Sequence, residues 1–365
     1  MRLTEFDEFP FHQHPTPFNI PFTSDVHFND GYFCAAFAED WYVVSGMRLH
    51  PNMNVLDGFA GIARNGMQRV LRASRALQPN SSELSVGPLR FDIRAPMREV
   101  VVSLVGNEAN FSFELTFRAK ATPFLETPYQ FRKYGHLIHD LVRYTQVCVA
   151  NGNVVLDGKA TEVTDWHAIR DHSWGVRSGM GPATPHGGVG RDKDEIDRRR
   201  FRIWAPFSLD RYTGFFNTHE DEEGNPLDFE GSLTMPDGKQ VELTAVRHCL
   251  QHAPGTKNVI GGTFALCDNE GGWRDYQLRA RHSSRRAGAR LLWRLVGWWE
   301  RWRISRRRPD CGDRLLPFQR RTRQNGLTVA AGGKAAWTYR VSLLSYRSGW
   351  RKRHGTFRAT CIWPI

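Results

Sequence analysis

The sequence predicts an all-β protein, and three observations support this prediction. Short apolar or alternating segments of strand length recur through the first 280 residues, and they are rich in β-branched and aromatic side chains. Turn-forming residues separate these segments at close spacing. Signals for helices are few, and no repeat of solenoid period is present. Many short strands joined by tight turns are typical of antiparallel sandwiches and barrels.

The predicted strands follow one another along the chain, with turn residues between them. We expect strands at Gly31–Phe37, Trp41–Met47, Arg98–Val105, Asn110–Phe117, Arg143–Ala150, Val154–Leu156, Phe201–Pro206, Gly214–Asn217, Gln240–Val246 and Val259–Leu266. We expect turns at Asn29-Asp30-Gly31, Asn151-Gly152-Asn153, Asp157-Gly158, Glu223-Gly224-Asn225 and Pro236-Asp237-Gly238. The segment Phe131–Asp140 is an exception, because its pattern allows one or two helical turns.

Length and composition exclude several classes of protein. A chain of 365 residues forms one large domain or two ordinary ones. No run of about 18 apolar residues is present, so no membrane-spanning helix is expected, and the acidic N-terminus lacks the pattern of a signal peptide. The six cysteines form no Cys-x-x-Cys pair, which predicts no disulfide framework and favours a reducing, cytoplasmic location. We find no motif for a metal, a nucleotide or another cofactor, and therefore expect none.

Positive charge is concentrated in the last 85 residues. From Arg281 to Ile365 the chain carries 21 Lys and Arg against 3 Asp and Glu, whereas the first 280 residues have a net charge of −6. Nineteen of those 21 bases are Arg, and seven of the 12 tryptophans lie in the same segment. One interpretation is a cationic arm that binds nucleic acid or an anionic membrane. The other is that residues 281–365 are an out-of-frame translation of a GC-rich gene.

The segment Asp165–Arg177 is the most informative part of the chain, since it packs two His, two Trp and several charged residues into one strand-length stretch. On a strand, Arg170, His172 and Trp174 face one way, while Asp171, Ser173 and Gly175 face the other. The His and Trp suit the wall of a cavity, with the imidazole supplying a proton and the indole stabilising a cation. The structural alternative is that Asp171 and Arg177 form a buried pair that fixes the strand.

The hexapeptide Arg-Asp-His-Ser-Trp-Gly at 170–175 resembles the signature of the lipocalin-like superfamily of carotenoid 1,2-hydratase and AttH-type proteins. The similarity extends over roughly Phe33 to Leu278, and we expect the nearest relatives to be uncharacterised bacterial proteins. Supporting segments are Leu84–Phe91, Ala95-Pro96, Arg143–Gln146, Val155–Gly158, Glu220–Gly224 and Gly231–Gly238. The resemblance implies two tandem lipocalin-like β-domains, at 1–160 and, carrying the signature, at 161–280, followed by the tail. The second barrel is incomplete if the tail is out of frame.

The resemblance also implies an apolar ligand cavity and a set of site residues. His172 or Asp171 would protonate a double bond, and Trp174 would stabilise the resulting cation. Where the hydratase has a Tyr-x-Asp pair, this chain has Arg202-Ile203-Trp204, with Asp210 and Tyr212 nearby. We therefore expect His172, Asp171 and Trp174 as catalytic residues and Arg170 and Arg177 as structural support. The expected ligand-binding residues are Trp166, Trp174, Trp204 and Tyr212.

The leading functional prediction is binding of a hydrophobic small molecule, such as an isoprenoid or a steroid-like lipid. Acid-catalysed hydration, isomerisation or cyclisation of that molecule would need no cofactor. Two alternatives stay open at this point. The protein is a non-catalytic lipid carrier of the same fold, or it binds nucleic acid or an anionic membrane through the basic tail.

Overall fold

A computed structural model describes residues 3–10, 20–38, 40–65, 67–133, 136–180, 201–221, 223–255 and 259–279, and the short strands at 302–303 and 344–345. Short 3₁₀ helices cover Glu5–Glu8 and Pro51–Met53. The strands are β1 Phe28–Ala38, β2 Trp41–His50, β3 Val55–Arg64, β4 Met67–Ala76, β5 Ser85–Val86, β6 Leu89–Ala95, β7 Glu99–Leu104, β8 Phe111–Ala119, β9 Phe124–Leu125, β10 Tyr129–Lys133, β11 His136–Leu156, β12 Lys159–Arg177, β13 Phe201–Ser208, β14 Thr213–Glu220, β15 Pro226–Thr234, β16 Gln240–His252, β17 Val259–Asp268, β18 Trp273–Arg279, β19 Trp302–Arg303 and β20 Leu344–Ser345.

These strands form two sheets, which confirms the predicted all-β class with two β domains. The first sheet has the order β20-β4-β3-β2-β1-β12-β11-β8-β7-β6-β5 and curls into a nearly closed barrel, with β9 and β10 also paired to β11. Gly58 permits the close approach of β3 to β5 and β6, because a Cβ there would lie 2.5 Å from Val86 and 3.1 Å from Leu89. The second sheet has the order β13-β14-β15-β16-β17-β18-β19 and forms a half-barrel.

Each sheet has its own apolar core. The core of the first sheet lies on the face that includes Tyr32, Met47 and Trp166, which we call the inner face. A small cluster around Phe33, Ala35 and Ile169 lies on the opposite, outer face, and Trp204 of the second sheet packs against it. The second core includes Phe207, Phe216, Phe264, Tyr276 and their neighbours.

The hairpin β11–β12 is the longest element and carries the signature. Its strands have 21 and 19 residues and are joined at Asp157-Gly158, where both residues have positive φ, as a tight hairpin turn requires. Gly152 has φ 139° within β11, and a Cβ at this position would overlap the backbone of Glu114. The register shift beside it bends the hairpin. As a result β11 pairs with β8 in one half and with β9 and β10 in the other.

Several local predictions are confirmed and others are wrong. All ten predicted strands coincide with or overlap strands of the structure, and the turns at Asp157-Gly158, Glu223–Asn225 and Pro236–Gly238 are confirmed. The helical turn predicted at Phe131–Asp140 is wrong, because the described residues of this segment belong to β10 and β11. The turn predicted at Asn29–Gly31 is also wrong, since these residues lie inside β1. The turn predicted at Asn151–Asn153 is wrong as well, because these residues lie within β11, next to a register shift in its pairing with β12.

The signature strand is part of the first sheet. We expected it near the start of the second domain, which was placed at residue 161, but β12 is hydrogen-bonded to β1 on one side and to β11 on the other. The second sheet begins only at Phe201. The pairing fixes the position of the signature in the first sheet, while the domain bounds themselves stay a prediction.

The basic tail lies almost entirely outside the described residues. Of residues 281–365, the structure describes only the short strands β19, paired with β18, and β20, paired with β4. We expected the tail to add no strand to the second sheet, and β19 differs from that expectation. Both interpretations of the tail stay predictions.

The cysteines and the membrane prediction can be checked in the described part of the chain. Cys34, Cys148 and Cys267 are buried free thiols. Cys249 is disulfide-bonded, which the expected absence of a disulfide framework did not anticipate. Within the described ranges, no helix has the length and apolar character needed to cross a membrane.

Candidate functional site

The two faces of the signature strand have different surroundings. On the inner face, His172 lies between Tyr32 of β1 and Tyr144 of β11 in the register of the sheet. On the outer face, Asp171 lies between Phe33 of β1 and Thr145 of β11. This alternation is the one predicted from the period of two along a strand. The two faces therefore have to be considered as separate sites.

The chain's own N-terminal turn, Glu5–Glu8, occupies the inner face beside the signature. Glu8 is fully buried and receives hydrogen bonds from Arg170, with Nη1 to Oε1 at 2.5 Å and Nη2 to Oε2 at 2.8 Å. The Tyr144 hydroxyl donates to Glu8 Oε1 at 2.9 Å, and the Met97 amide donates to Oε2. Burial raises the pKa of Glu8, but the ion pair with Arg170 outweighs burial and holds this pKa below its ordinary value.

His172 also holds this N-terminal turn. The ring is fully buried, stacks on Tyr32 with centroids 4.4 Å apart, and places Nδ1 2.8 Å from the Asp7 carbonyl oxygen. A carbonyl oxygen only accepts, so Nδ1 carries the proton in this contact. Nε2 lies 2.6 Å from Asp30 Oδ1. Both ring nitrogens are thus engaged within the protein, which leaves the imidazole no nitrogen for a ligand in this arrangement.

The predicted tryptophans on the inner face lie on either side of this polar group. The Trp174 ring is half-buried, with its centroid 5.2 Å from that of His172. Trp166 is buried in the core, 5.9 Å from the ring of Trp41. The inner face therefore brings together Arg170, His172 and Trp174 but fills the space beside them with the N-terminal turn.

Asp171 is the unusual group on the outer face. Its side chain is buried, and neither carboxylate oxygen has a hydrogen-bond partner in the described part of the chain. The structural alternative, a hydrogen-bonded pair of Asp171 with Arg177, is therefore not formed in the described structure. Burial raises the pKa of Asp171 to about 6, against the opposing effect of Arg143, Arg48 and Arg177. A carboxyl with a pKa of about 6 stays partly protonated near neutral pH, which general acid catalysis requires.

A second carboxylate links the outer face to the second sheet. Glu126 is buried and accepts two hydrogen bonds from Arg143, one of them from Nε at 2.8 Å. It also accepts from Thr145 Oγ1 at 2.6 Å and from Trp204 Nε1 at 3.1 Å. Burial raises the pKa of Glu126, but the charge of Arg143 outweighs burial and keeps the group ionised. Trp204, predicted as a ligand-binding residue, is thereby fixed at the boundary between the sheets.

The second sheet contributes a histidine that the sequence analysis did not identify. His219 is buried, and its Nδ1 lies 2.9 and 2.8 Å from the two carboxylate oxygens of Asp228. Its Nε2 has no hydrogen-bond partner within the described ranges. The ring stacks on Tyr129 of β10, with centroids 6.5 Å apart, so it faces the first sheet. An Asp–His pair of this kind fixes the ring and its tautomer and leaves Nε2 available for proton transfer.

Neither local charge nor motif distinguishes His219 in the sequence. The run His219–Glu223 reads as a solvated hairpin tip, which is wrong for His219 and Glu220, because both are buried in β14. Phe215, Asn217 and His219 alternate along β14 and therefore share one face of the strand, the face directed toward the first sheet. This alternation is the sequence signal that could have identified the histidine. Its carboxylate partner, Asp228, lies on the next strand and becomes apparent only from the pairing of β14 with β15.

The remaining predicted residues lie apart or on the outer face. Tyr212 is buried in the core of the second sheet, where its hydroxyl lies 2.9 Å from that of Tyr276. Arg177 lies on the outer face near Asp171, and burial lowers its pKa well below the ordinary value. Among the described residues, no group of three or more His, Cys, Asp or Glu side chains is arranged to hold a metal ion.

Comparison with known proteins places the chain in a family. The model of a family of unknown function, DUF8625, matches residues 3–294. No curated protein matches the chain. Two solved structures are similar in fold. An AttH candidate from Nitrosomonas europaea has a TM-score of 0.47 and 10% identity over 69% of this chain and 80% of its own. Kievitone hydratase from Nectria haematococca has a TM-score of 0.44 and 10% identity over 69% and 76%.

Proposed function

The chain belongs to DUF8625, a family of unknown function, and we propose that it binds a hydrophobic small molecule between its two sheets. Asp171 acts there as the proton donor in hydration, isomerisation or cyclisation of a carbon–carbon double bond. The single observation that carries this proposal is the buried carboxyl of Asp171, whose oxygens have no partner in the described residues. A substrate between the sheets would meet an acid on one side and aromatic rings beside it.

Two aromatic side chains near Asp171 would stabilise a carbocation, against the opposing charge of Arg48, Arg143 and Arg177. Phe33 lies directly opposite Asp171 in the register, and Trp204 packs against the same cluster. Aromatic faces stabilise cations, and more strongly where water is excluded. The raised pKa of Asp171 keeps a fraction of the carboxyl protonated near neutral pH. The ion pair with Arg143 lowers the pKa of the nearby Glu126 carboxyl. Of these two carboxyl groups, Asp171 is therefore the one that holds a proton more readily.

The proposed steps balance without a cofactor. Asp171 gives its proton to one alkene carbon, the π electrons form the new C–H bond, and the other carbon becomes a tertiary cation. In hydration, a water oxygen bonds to the cation, and the proton that this water loses returns to the Asp171 carboxylate. In isomerisation or cyclisation, the Asp171 carboxylate instead removes a proton from a neighbouring carbon. Asp171 is protonated again at the end of either sequence.

This proposal assigns the acid to Asp171 instead of His172. Both nitrogens of His172 are held by Asp7 and Asp30, whereas both oxygens of Asp171 are without partners in the described structure. The signature then serves two purposes. Its inner-face residues hold the N-terminal turn, and its outer-face residue supplies the proton.

Proton transfer can be tested by deuterium incorporation. The protein is incubated in D₂O with geranylgeraniol, an isoprenoid alcohol with trisubstituted double bonds, and carbon-bound deuterium is measured by mass spectrometry. Binding of retinol is measured in parallel by quenching of tryptophan fluorescence. We expect the Asp171→Asn variant to lose deuterium incorporation while it binds retinol as the wild type does, because an acid acts in the transition state. The matched control is Asp92→Asn, which changes a partly exposed carboxylate paired with Arg94.

The outcomes separate the two candidate functions. Retinol binding without deuterium incorporation in the wild type would overturn the catalytic proposal and favour the lipid carrier. Absence of both would overturn the site itself. Equal incorporation by wild type and Asp171→Asn would show that Asp171 is not the acid.

A further inference from the structure

Four arginine side chains lie on the outer face of the first sheet and at its boundary with the second sheet. The group consists of Arg48, Arg143 and Arg177 of the first sheet and Arg202 of the second, which we call the arginine cluster. Arg143 is paired with Glu126, and Arg202 lies 4.0 Å from the same carboxylate. Arg202 also donates to the Oδ1 atom of an asparagine, Asn217, at 2.9 Å. Glu126 is thus already shared by two of the four arginines.

Arg177 has the least compensated charge in the cluster. It is buried, and its one hydrogen bond within the described residues runs from Nη2 to Ser173 Oγ at 3.5 Å. Its Nε and Nη1 have no acceptor there. Burial, together with repulsion from Arg48 and Arg143, lowers its pKa. A buried guanidinium that lacks acceptors is strongly destabilised, and an anion that supplied them would remove this cost.

The Arg48 side chain crosses over Gly31 of β1 and so lies on the outer face of the first sheet. A Cβ at Gly31 would lie 2.6 Å from Arg48 Cγ, so the absence of a side chain lets the arginine cross β1. Its Nη1 donates to Asn29 Oδ1 at 2.6 Å, which is an uncharged acceptor. The carboxyl whose charge acts most strongly on Arg48 and Arg177 is that of Asp171. Asp171 nevertheless forms no hydrogen bond with either arginine.

We propose that the hydrophobic ligand carries an acidic head group, a carboxylate, that binds Arg177 and Arg48 while its apolar part lies against Phe33 and Trp204. The inference rests on the proposed function, since it names the ligand class of the same site. The buried donors of Arg177 give the anion its place, and the aromatic cluster gives the apolar part its surface. Charge-assisted hydrogen bonds to a carboxylate are stronger than those to a hydroxyl, so the head group determines affinity.

Retinoic acid and retinol test this inference, because they share a polyene skeleton and differ in the head group. We expect the wild type to bind retinoic acid about tenfold more tightly than retinol, measured by quenching of tryptophan fluorescence. Arg177→Met, which replaces the guanidinium with an apolar chain, should remove this preference, so that the ratio of the two affinities falls to about one. The matched control is Arg118→Met, because Arg118 pairs with Glu99 on an exposed surface.

The ratio of the wild-type affinities for retinoic acid and retinol tests the proposal even if Arg177→Met fails to fold. Equal affinity for the two retinoids would overturn the acidic head group and leave the proposed hydrophobic site standing. No binding of either retinoid would overturn both. A preference for retinoic acid that survives in folded Arg177→Met would also overturn the assignment to Arg177.

Discussion

Replacement of Glu8 by Gln tests whether the N-terminal turn is fixed to the barrel by a buried ion pair. The Glu8 carboxylate is fully buried and accepts from Arg170, Tyr144 and the Met97 amide. Glutamine keeps the shape of the side chain but removes its charge, which leaves the Arg170 guanidinium buried without a counter-ion. Breaking a buried pair from one side costs about 3–5 kcal/mol.

The loss of stability in Glu8→Gln cannot exceed the free energy that holds the N-terminal turn against the barrel. If the cost exceeds the free energy that holds Glu5–Glu8 in place, the turn detaches and Arg170 becomes hydrated instead. Two measurements therefore belong together: the free energy of unfolding in urea, and hydrogen exchange of the Met97 amide, which donates to Glu8. We expect lower stability in urea, faster exchange at Met97, or both.

A control within the same turn makes the test specific. Glu5→Gln changes an exposed carboxylate, whose Oε1 atom lies 3.8 Å from Nη2 of Arg98. This variant should alter the free energy of unfolding by less than about 0.5 kcal/mol. The double variant Glu8→Gln/Arg170→Met should recover part of the loss, since no unpaired charge stays buried. The reasoning is refuted if Glu8→Gln matches the Glu5→Gln control in both measurements.

Two further predictions concern the signature strand. Because the folded-state pKa of Asp171 is about 6 and its ordinary value is 3.8, its ionisation opposes folding as pH rises through this range. Asp171→Asn should therefore stabilise the protein at pH 7.5 by about 3 kcal/mol and have little effect near pH 3, with unfolding in urea at both pH values as the check. Gly175 has φ 130°, and a Cβ there would overlap the Asp140 carbonyl oxygen. Gly175→Ala should cost about 3 kcal/mol in thermal or urea unfolding, whereas Gly106→Ala, with no atom near its Cβ position, should cost much less.

The strands and the two faces of the signature could be predicted from the sequence because both depend on a local period of two. The register confirms that His172 and Asp171 face opposite ways. The turn at Asn29–Gly31 could not be recognised as part of a strand, since turn-forming residue types are the same in both contexts. Gly31 is present in β1 because Arg48 crosses above it, which is a contact between strands.

The contents of the site were harder to predict because its partners are distant in sequence. Glu8 and Arg170 are separated by 162 positions, and no local pattern connects them. Thr4 and Asp7 do form a capping box, which is a signal for the turn but not for its position in the barrel. The helical turn predicted at Phe131–Asp140 fails for a similar reason. Phe131 and His139 face each other on paired strands, β10 and β11. In the sequence they are about two helical turns apart, so the spacing alone does not distinguish a helix from a hairpin.

The occupation of the inner face bears on where a ligand binds. Tyr32, Tyr144, Arg170 and His172 all form hydrogen bonds with Asp7 or Glu8. A ligand could reach these groups only after the N-terminal turn had left, and it would have to offset the loss of the Glu8 ion pair. On the outer face, the unsatisfied atoms of Asp171 and Arg177 in the described structure gain hydrogen bonds from a ligand without giving up any of their own. Such a ligand has to make room beside the packed cluster of Phe33 and Trp204, but it breaks no ion pair of Glu8. The retained Glu8 ion pair is the reason we expect binding between the sheets rather than inside the barrel.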